Sequence, residues 1–238
     1  MSIPVIDIIV PVYNEAGNIG KMLEGIYSKV TIPNQIYIVY DFEEDNTLPE
    51  AKSVSKKLGI NIKFIRNLYN LGVLGAIKTG LQTSTAPWVV ITMADLSDPP
   101  EVIVKMYQTA VDYKADMVCA SRYMRGGRQI GGPLIKSILS RLAGLSLYWI
   151  AGIPTHDATN NFKLYSRKII NEIPIESTGG FELGLELVVK AHLRGFKITE
   201  VPTSWRDRTN GQSQFKFIKW LPRYMRWQWL AIKNRGRQ

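Results

Sequence analysis

Through the first half of the chain, short continuous apolar runs alternate with longer stretches whose apolar positions recur every three to four residues. Val5–Val12 is one such run, broken only by Asp7, and Asn18–Lys29 follows with helical spacing. The alternation then gives a strand at Gln35–Tyr40, a helix at Leu48–Leu58, a strand at Ile60–Ile65 and a helix at Gly72–Gln82. Trp88–Thr92 reads as a strand, Pro100–Asp112 as a helix and Met117–Ser121 as a fifth strand. Strands that are apolar on both faces are covered on both faces, and strand–helix alternation makes them mainly parallel. The pattern predicts an α/β protein with a mainly parallel central sheet flanked by helices. Ligands of such sheets bind beyond the carboxyl ends of the strands. That singles out the loops Pro11–Gly17, Asp41–Thr47, Asn67–Gly75, Met93–Pro100 and Ser121–Gly132.

The second half is less regular. Gly126–Gly132 holds four glycines and reads as a mobile loop, and Leu134–Ala151 as an apolar helix. Phe181–Arg194 is predicted helical, Lys197–Val201 a strand, and Phe215–Lys233 mostly helical, with Pro222 dividing it because proline donates no backbone bond. The expected organisation is one catalytic domain over 1–214 and a basic, aromatic helical extension over 215–238.

Composition adds three constraints. With 238 residues and 45% hydrophobic content the chain can bury a substantial core. The single cysteine, Cys119, cannot form an internal disulfide and sits in an apolar strand, as an inert core thiol does. No basic, apolar leader precedes the first strand, and the longest uncharged apolar stretch, Leu142–Pro154, falls short of the ~20 residues that span a bilayer. A cytoplasmic protein is expected. Of the net charge of +10, most lies beyond residue 200, where nine Lys/Arg face one acid, Asp207, beside four of the six tryptophans. Lys216, Lys219, Arg223, Arg226 and Lys233 fall within roughly 100° of a helical wheel. Such a face suits an anionic membrane interface, packing on the domain with solvated lysines, or nucleic acid.

The chemistry concentrates in loops. Asp95 follows an apolar strand, where a carboxylate can hold Mg²⁺ or Mn²⁺ and leave the rest of the shell to phosphate and water. Asp98 either joins it or N-caps the next helix. Arg122 and Arg208 are of the residue type that grips phosphate bidentately. Asp157 can act as a general base toward a hydroxyl acceptor, or only orient sugar or metal if the acceptor is already ionised. His156 and His192 form no zinc or triad set. Glu182 and Glu186, four apart, either line an acceptor site or are solvated.

Taken in order, these segments carry a resemblance. Pro11-Val12-Tyr13-Asn14-Glu15, Asp41 with Asp45-Asn46-Thr47, Asn70-Leu71-Gly72, Ala94-Asp95, Ser121-Arg122-Tyr123, Asp157-Ala158-Thr159 and Arg208-Thr209-Asn210-Gly211-Gln212-Ser213 resemble family 2 glycosyltransferases of the dolichol-phosphate mannose synthase type, over nearly the whole chain. The resemblance implies a GT-A fold and a nucleotide-sugar site at Pro11, Tyr13, Glu15, Asp41, Asn70, Gly72, Ala94 and Asp95. It further implies metal ligands at Asp95 and Ser97, catalytic roles for Asp157, Arg122 and Arg208, and acceptor-phosphate contacts at Arg122, Arg208 and Ser213. Two departures stand out. Met93 replaces the first Asp of the usual Asp-Ala-Asp, and Tyr40-Asp41-Phe42-Glu43 keeps one of two usual aspartates. Lys163 and Gln214 stand where the family more often has Arg and Lys. The implied activity is inverting hexosyl transfer to a polyprenyl-phosphate acceptor, from GDP-mannose by preference with UDP-glucose open. The implied location is peripheral, at the cytoplasmic face of a membrane, through the C-terminal extension. A membrane-protein partner or a homo-oligomer is compatible with this. Transfer to a hydroxyl acceptor, with Asp157 as base, is the enzyme alternative. A non-catalytic nucleic-acid binder leaves the Asp95, Asp157 and Arg208 loops without a role, so no nucleic acid is expected.

Overall fold

The computed structural model describes residues 3–207 and 217–235. Five parallel strands, β1 (Ile6–Pro11), β2 (Asn34–Tyr40), β3 (Ile62–Arg66), β4 (Trp88–Ile91) and β5 (Met117–Ser121), alternate with helices α1 (Ile19–Lys29), α2 (Thr47–Leu58), α3 (Val73–Thr83) and α4 (Glu101–Tyr113). The second half adds β6 (Arg128–Ile130), α5 (Leu134–Ala151), β7 (Lys163–Ser166), α6 (Arg167–Glu172), α7 (Leu183–Leu193), β8 (Ile198–Pro202), β9 (Ser204–Arg206) and α8 (Phe217–Lys233). Seven strands form one sheet in the order β3-β2-β1-β4-β7-β5-β8, and β6 pairs with β9 in a separate parallel ribbon.

The apolar runs become strands because each is sealed on both faces. Every residue of β1 is buried, and two core clusters lie on opposite sides of the sheet, one around Ile8, Leu23 and Met106, the other around Ile9, Leu185 and Trp227. Asp7, the one polar residue in that strand, is accommodated by a local shell. Its Oδ2 accepts bonds from the backbone N–H groups of Thr85 (2.6 Å) and Ala86 (2.7 Å), and Arg167 stands 3.7 Å away. A buried charge is tolerated when it is paired and hydrogen-bonded in this way.

Two topological features place the site. β1 lies between β2 and β4, so successive crossovers leave in opposite directions and open a crevice at the carboxyl edge. β7 runs antiparallel to both β4 and β5. Its amino-terminal approach, residues 157–162, therefore reaches the same edge as the loops leaving β4 and β5.

Three local expectations differ from what is observed. The Gly126–Gly132 segment contains β6, because Arg128 donates its N–H to the Thr203 carbonyl (2.8 Å) and Ile130 accepts from the Asp207 N–H (2.9 Å). α8 passes through Pro222 without dividing. β7 and α6 were not anticipated at all, since Lys163–Ser166 is short and opens on a lysine. Cys119 is buried as expected, and burial pushes its thiol up to about 12.

Candidate active site

The loops after β1, β2 and β3 form one connected surface. Asn14, in the left-handed region at φ 53°, donates its N–H to both oxygens of the buried Asp45 (3.2 and 3.1 Å). Thr47 Oγ1 accepts from the Glu15 N–H (2.9 Å), and Glu15 in turn accepts from the Asn18 side chain (2.9 Å). Pro11 ends β1 inside the core, whereas Tyr13 projects into solvent, edge-on to Phe42 at 5.7 Å between ring centroids. Asp41 is buried at the end of β2. Its two oxygens accept from Asn67 Nδ2 (2.7 Å) and the Gly72 N–H (2.8 Å), which ties the Asn70–Gly72 loop to it. Asn67 Nδ2 also reaches the Asn70 carbonyl (3.2 Å).

Beside this surface a cavity of about 540 Å³ is lined by Met93, Asp95, Ser97 and Asp98 from the loop after β4, and by Arg122 after β5. Thr159, Asn160 and Asn161 before β7, Trp205 and Asp207 at β9, and Leu139 and Leu221 of α5 and α8 complete most of its wall. Ala94 is buried behind Asp95. Gly144 lets the α5 backbone approach the segment that carries Asp157, since an added Cβ there would sit 2.3 Å from the His156 carbonyl oxygen.

The strongest electrostatic feature is the pair Arg122–Asp157. Asp157 is fully buried, and its Oδ2 accepts from Arg122 Nε (2.7 Å) and from the Arg122 N–H (3.0 Å). Its Oδ1 accepts from Arg122 Nη2 (2.9 Å), Thr159 Oγ1 (3.2 Å) and the Asn160 N–H (3.2 Å). Burial alone would raise the Asp157 carboxyl, but the Arg122 charge and hydrogen bonds hold it below the ordinary carboxylate range. Burial opposes the Arg122 charge too, and Asp157 more than offsets it, so the guanidinium is held above its usual value. Lys163 lies beneath this pair, fully buried, with Nζ donating to the Ala158 carbonyl (3.2 Å), and burial depresses it.

The Met93–Pro100 turn carries the other charges. Asp95 Oδ1 accepts from the Ser97 N–H (3.1 Å), and Leu96 between them adopts φ 63°. Asp98 is not a helix cap, because Pro100 occupies the cap position of α4 and no side chain bonds there. Desolvation, then the neighbouring Asp95 charge, pushes Asp98 up to about 7. Ser97 Oγ and Asp98 Oδ1 are both closed to solvent and lack hydrogen-bond partners. Among the described residues no group of three or more His, Cys, Asp or Glu could hold a metal. The available donors are instead two carboxylates and a hydroxyl. All are hard oxygens, which fit Mg²⁺ or Mn²⁺ if phosphate and water complete the shell, whereas the Met93 thioether does not.

The structure thus brings Asp95, Ser97 and Arg122 to one cavity, with Asp157 buried behind Arg122 and Pro11, Tyr13, Glu15, Asp41, Asn70 and Gly72 on the loops after β1 to β3. Arg208 and Ser213 lie outside the described residues. Glu182 and Glu186 are neither solvated nor on the acceptor wall. Glu186 accepts from the N–H groups of Glu176 (2.6 Å) and Ser177 (2.7 Å) and pairs with Lys190 (2.6 Å), while Glu182 accepts from Gly179 (3.1 Å). His156 bonds Glu200 (2.5 Å) and stacks on Tyr148. Asp45, Thr159, Asn160 and Trp205 were missed. Asp45 and Thr159 stood inside quoted motifs, but only the fold reveals what they hold.

A crevice at a topological switch point, bordered by an oxygen-donor turn and a paired guanidinium, is built to receive a phosphate-bearing ligand, and with this α/β sheet it matches the GT-A architecture. The chain belongs to glycosyl transferase family 2, which its residues 7–174 match. It is similar to the dolichol-phosphate mannosyltransferase of Pyrococcus furiosus, 26% identical over 234 residues, covering 94% of this chain and 64% of that one. It is also similar to the polyprenol monophosphomannose synthase of Mycolicibacterium smegmatis, 27% identical over 214 residues and covering 87% and 79%. The chain therefore spans a little under two-thirds of the Pyrococcus protein. Among solved structures, glucosyl-3-phosphoglycerate synthase from Mycobacterium tuberculosis with Mn²⁺, UDP and glucosyl-3-phosphoglycerate superposes with a TM-score of 0.69 at 14% identity, over 98% of this chain and 80% of that one. The same enzyme with Mn²⁺, UDP-glucose and phosphoglyceric acid gives a TM-score of 0.70 at 14% identity, covering 98% and 79%. These likenesses establish the fold.

Proposed function

We propose that the chain is an inverting hexosyltransferase that moves sugar from a nucleotide-diphosphate donor to a polyprenyl phosphate at a membrane surface. The observation that carries this reading is the engagement of Asp157. Both its oxygens are held by Arg122 and by the 159–160 backbone and side chains, so it is a poor base for a hydroxyl acceptor. A phosphate monoester needs no base, because its second pKa of about 6 leaves it ionised near neutrality. Among the described residues Arg122 uses Nε and Nη2 for its partners, and in this reading Nη1 meets an anion in the cavity. The acceptor oxygen forms its bond to the anomeric carbon as the bond to the donor's β-phosphate breaks, and the electron pair leaves with the nucleoside diphosphate. Asp157 keeps the guanidinium oriented through that displacement. A divalent cation held by Asp95 and Ser97 would neutralise charge on the leaving diphosphate. Pro11, Tyr13, Glu15, Asp41, Asn70, Gly72 and Ala94 frame the nucleotide side, and Arg208 and Ser213 would add phosphate contacts.

The acceptor's lipid half has a matching surface. Ile138, Leu139, Leu142, Trp149 and Ile150 of α5 are exposed, as are Leu221, Met225, Trp229 and Ile232 of α8. On helical wheels these sets span roughly 120° and 80°. The α5–α8 seam, where Gln228 donates to the Ala143 carbonyl (2.9 Å), borders both arcs. The two stripes are therefore neighbours, and Leu139 and Leu221 continue them into the cavity wall. Basic side chains beside the α8 stripe suit anionic lipid, so the reading is peripheral contact. Among the described residues no helix is long and apolar enough to cross a membrane.

Both named relatives transfer mannose to a dolichol or polyprenol phosphate by their names, which favours GDP-mannose, and UDP-glucose is the second donor to test. A thermal-shift panel of GDP and UDP with Mn²⁺ or Mg²⁺ decides the base, since a ligand that binds only the folded state raises the melting temperature. A selective shift by GDP is expected. A panel in which no nucleoside diphosphate shifts the melt would overturn the reading.

A further inference from the structure

We propose that Asp98 supplies the carboxylate that Met93 withholds, so that Asp95, Ser97 and Asp98 together hold the divalent cation without a ligand from position 93. This rests on the glycosyltransferase reading above and makes it specific to this chain.

Seven buried side-chain oxygens among the described residues lack a hydrogen-bond partner: those of Asn18, Ser97, Asp98, Tyr165, Ser177, Glu182 and Thr203. Only Ser97 Oγ and Asp98 Oδ1 belong to residues that line the 540 Å³ cavity, and they are consecutive. A hydroxyl and a carboxylate oxygen sealed side by side at the wall of an open cavity leave acceptor capacity that an ion or an ordered water there would use. Asp95, two and three residues away, lines the same cavity. Asp98 has no competing structural task, since the cap of α4 is made without it. The turn is also fixed from outside, because the Arg206 N–H of β9 donates to the Ser97 carbonyl (3.1 Å). Three hard oxygen donors on a braced turn are what Mg²⁺ or Mn²⁺ requires of a protein, the remainder coming from phosphate and water. A thioether at position 93 offers nothing to such an ion.

The test is Mn²⁺ binding followed by the electron paramagnetic resonance signal of free Mn²⁺, with and without the nucleoside diphosphate that the chain binds. Met93→Ala is expected to leave the affinity within about twofold, and Asp98→Asn to weaken it roughly tenfold or more. Met93→Asp placed in the Asp98→Asn background is expected to recover most of that loss. Unchanged Mn²⁺ affinity in Asp98→Asn, with its melting temperature at or above that of the parent, would overturn the proposal. So would a loss in Met93→Ala equal to that in Asp98→Asn. Sugar transfer that proceeds in excess EDTA would overturn it while leaving the transferase reading intact. A parent chain that binds no nucleoside diphosphate would remove both.

Discussion

Arg122 and Asp157 are 35 positions apart, and nothing in the spacing of the chain announces that they meet. Each was legible singly, as a phosphate-gripping cation and as a carboxylate able to act as a base or to orient sugar or metal. Their pairing depends on β7 running antiparallel, which the short Lys163–Ser166 segment did not disclose. The consequence is measurable. Asp157→Asn strands a buried guanidinium, so a loss of about 3 kcal/mol in unfolding free energy is expected by denaturant titration. Because the folded Asp157 pKa is depressed, its contribution is fully present above the unfolded carboxyl value of ~3.9 and is lost as pH falls through the folded value. The parent and Asp157→Asn curves should therefore stay parallel from pH 8 to 5 and converge only in acid. Asp98 has the opposite sign. Its folded pKa is raised to about 7, so its protonated form favours the native state at low pH, and that advantage disappears as pH rises through 7. In metal-free buffer Asp98→Asn should melt above the parent at pH 8, and the gap should narrow below pH 7 and close only near the unfolded carboxyl value of ~3.9. A gap independent of pH would contradict the assignment of burial as the cause.

At the scale of elements, the amphipathic pattern of Phe215–Lys233 disclosed a helix with one basic and one apolar face, but not how much of the apolar face is used. Trp227 and Ala231 are buried where α8 packs on α5 and α7, and Tyr224 donates its hydroxyl to the Phe181 carbonyl (2.7 Å). Trp229, two residues from Trp227, faces solvent. Packing on one edge also explains why Pro222 fails to divide α8. The proline forfeits one backbone bond near the start of the helix, and the contacts made farther along hold the axis in one piece. The two tryptophans should separate the roles. Trp227→Ala is expected to cost about 3–5 kcal/mol of stability. Trp229→Ala is expected to change stability by less than about 0.5 kcal/mol and to weaken binding to anionic vesicles about tenfold in a flotation assay. Equal vesicle binding by Trp229→Ala and the parent would remove the membrane face from the account. The β6–β9 ribbon was the least legible element. Its strands are three residues each and largely polar, with glycines flanking β6, so neither periodicity nor length marked them.

At the scale of the molecule, the first five strands and four helices follow from local pattern because each strand is sealed on both faces and each helix covers one of them. The sheet order does not follow from pattern, since β7 enters between β4 and β5 from the far half of the chain. That insertion makes the carboxyl edge two-sided, with the loops after β1 to β3 on one flank and the Arg122–Asp157 pair, Trp205 and the α5–α8 surface on the other. The central claim is that the second flank receives a lipid phosphate. Radiolabelled GDP-mannose, or UDP-glucose if the nucleotide panel selects uridine, is incubated with Mn²⁺, the protein and vesicles carrying either polyprenyl phosphate or the free polyprenol. Label is then counted in the organic phase. The account predicts transfer to the phosphate alone, reduced about a hundredfold in Arg122→Met. Label confined to the aqueous phase, or equal transfer to the free alcohol, would contradict it.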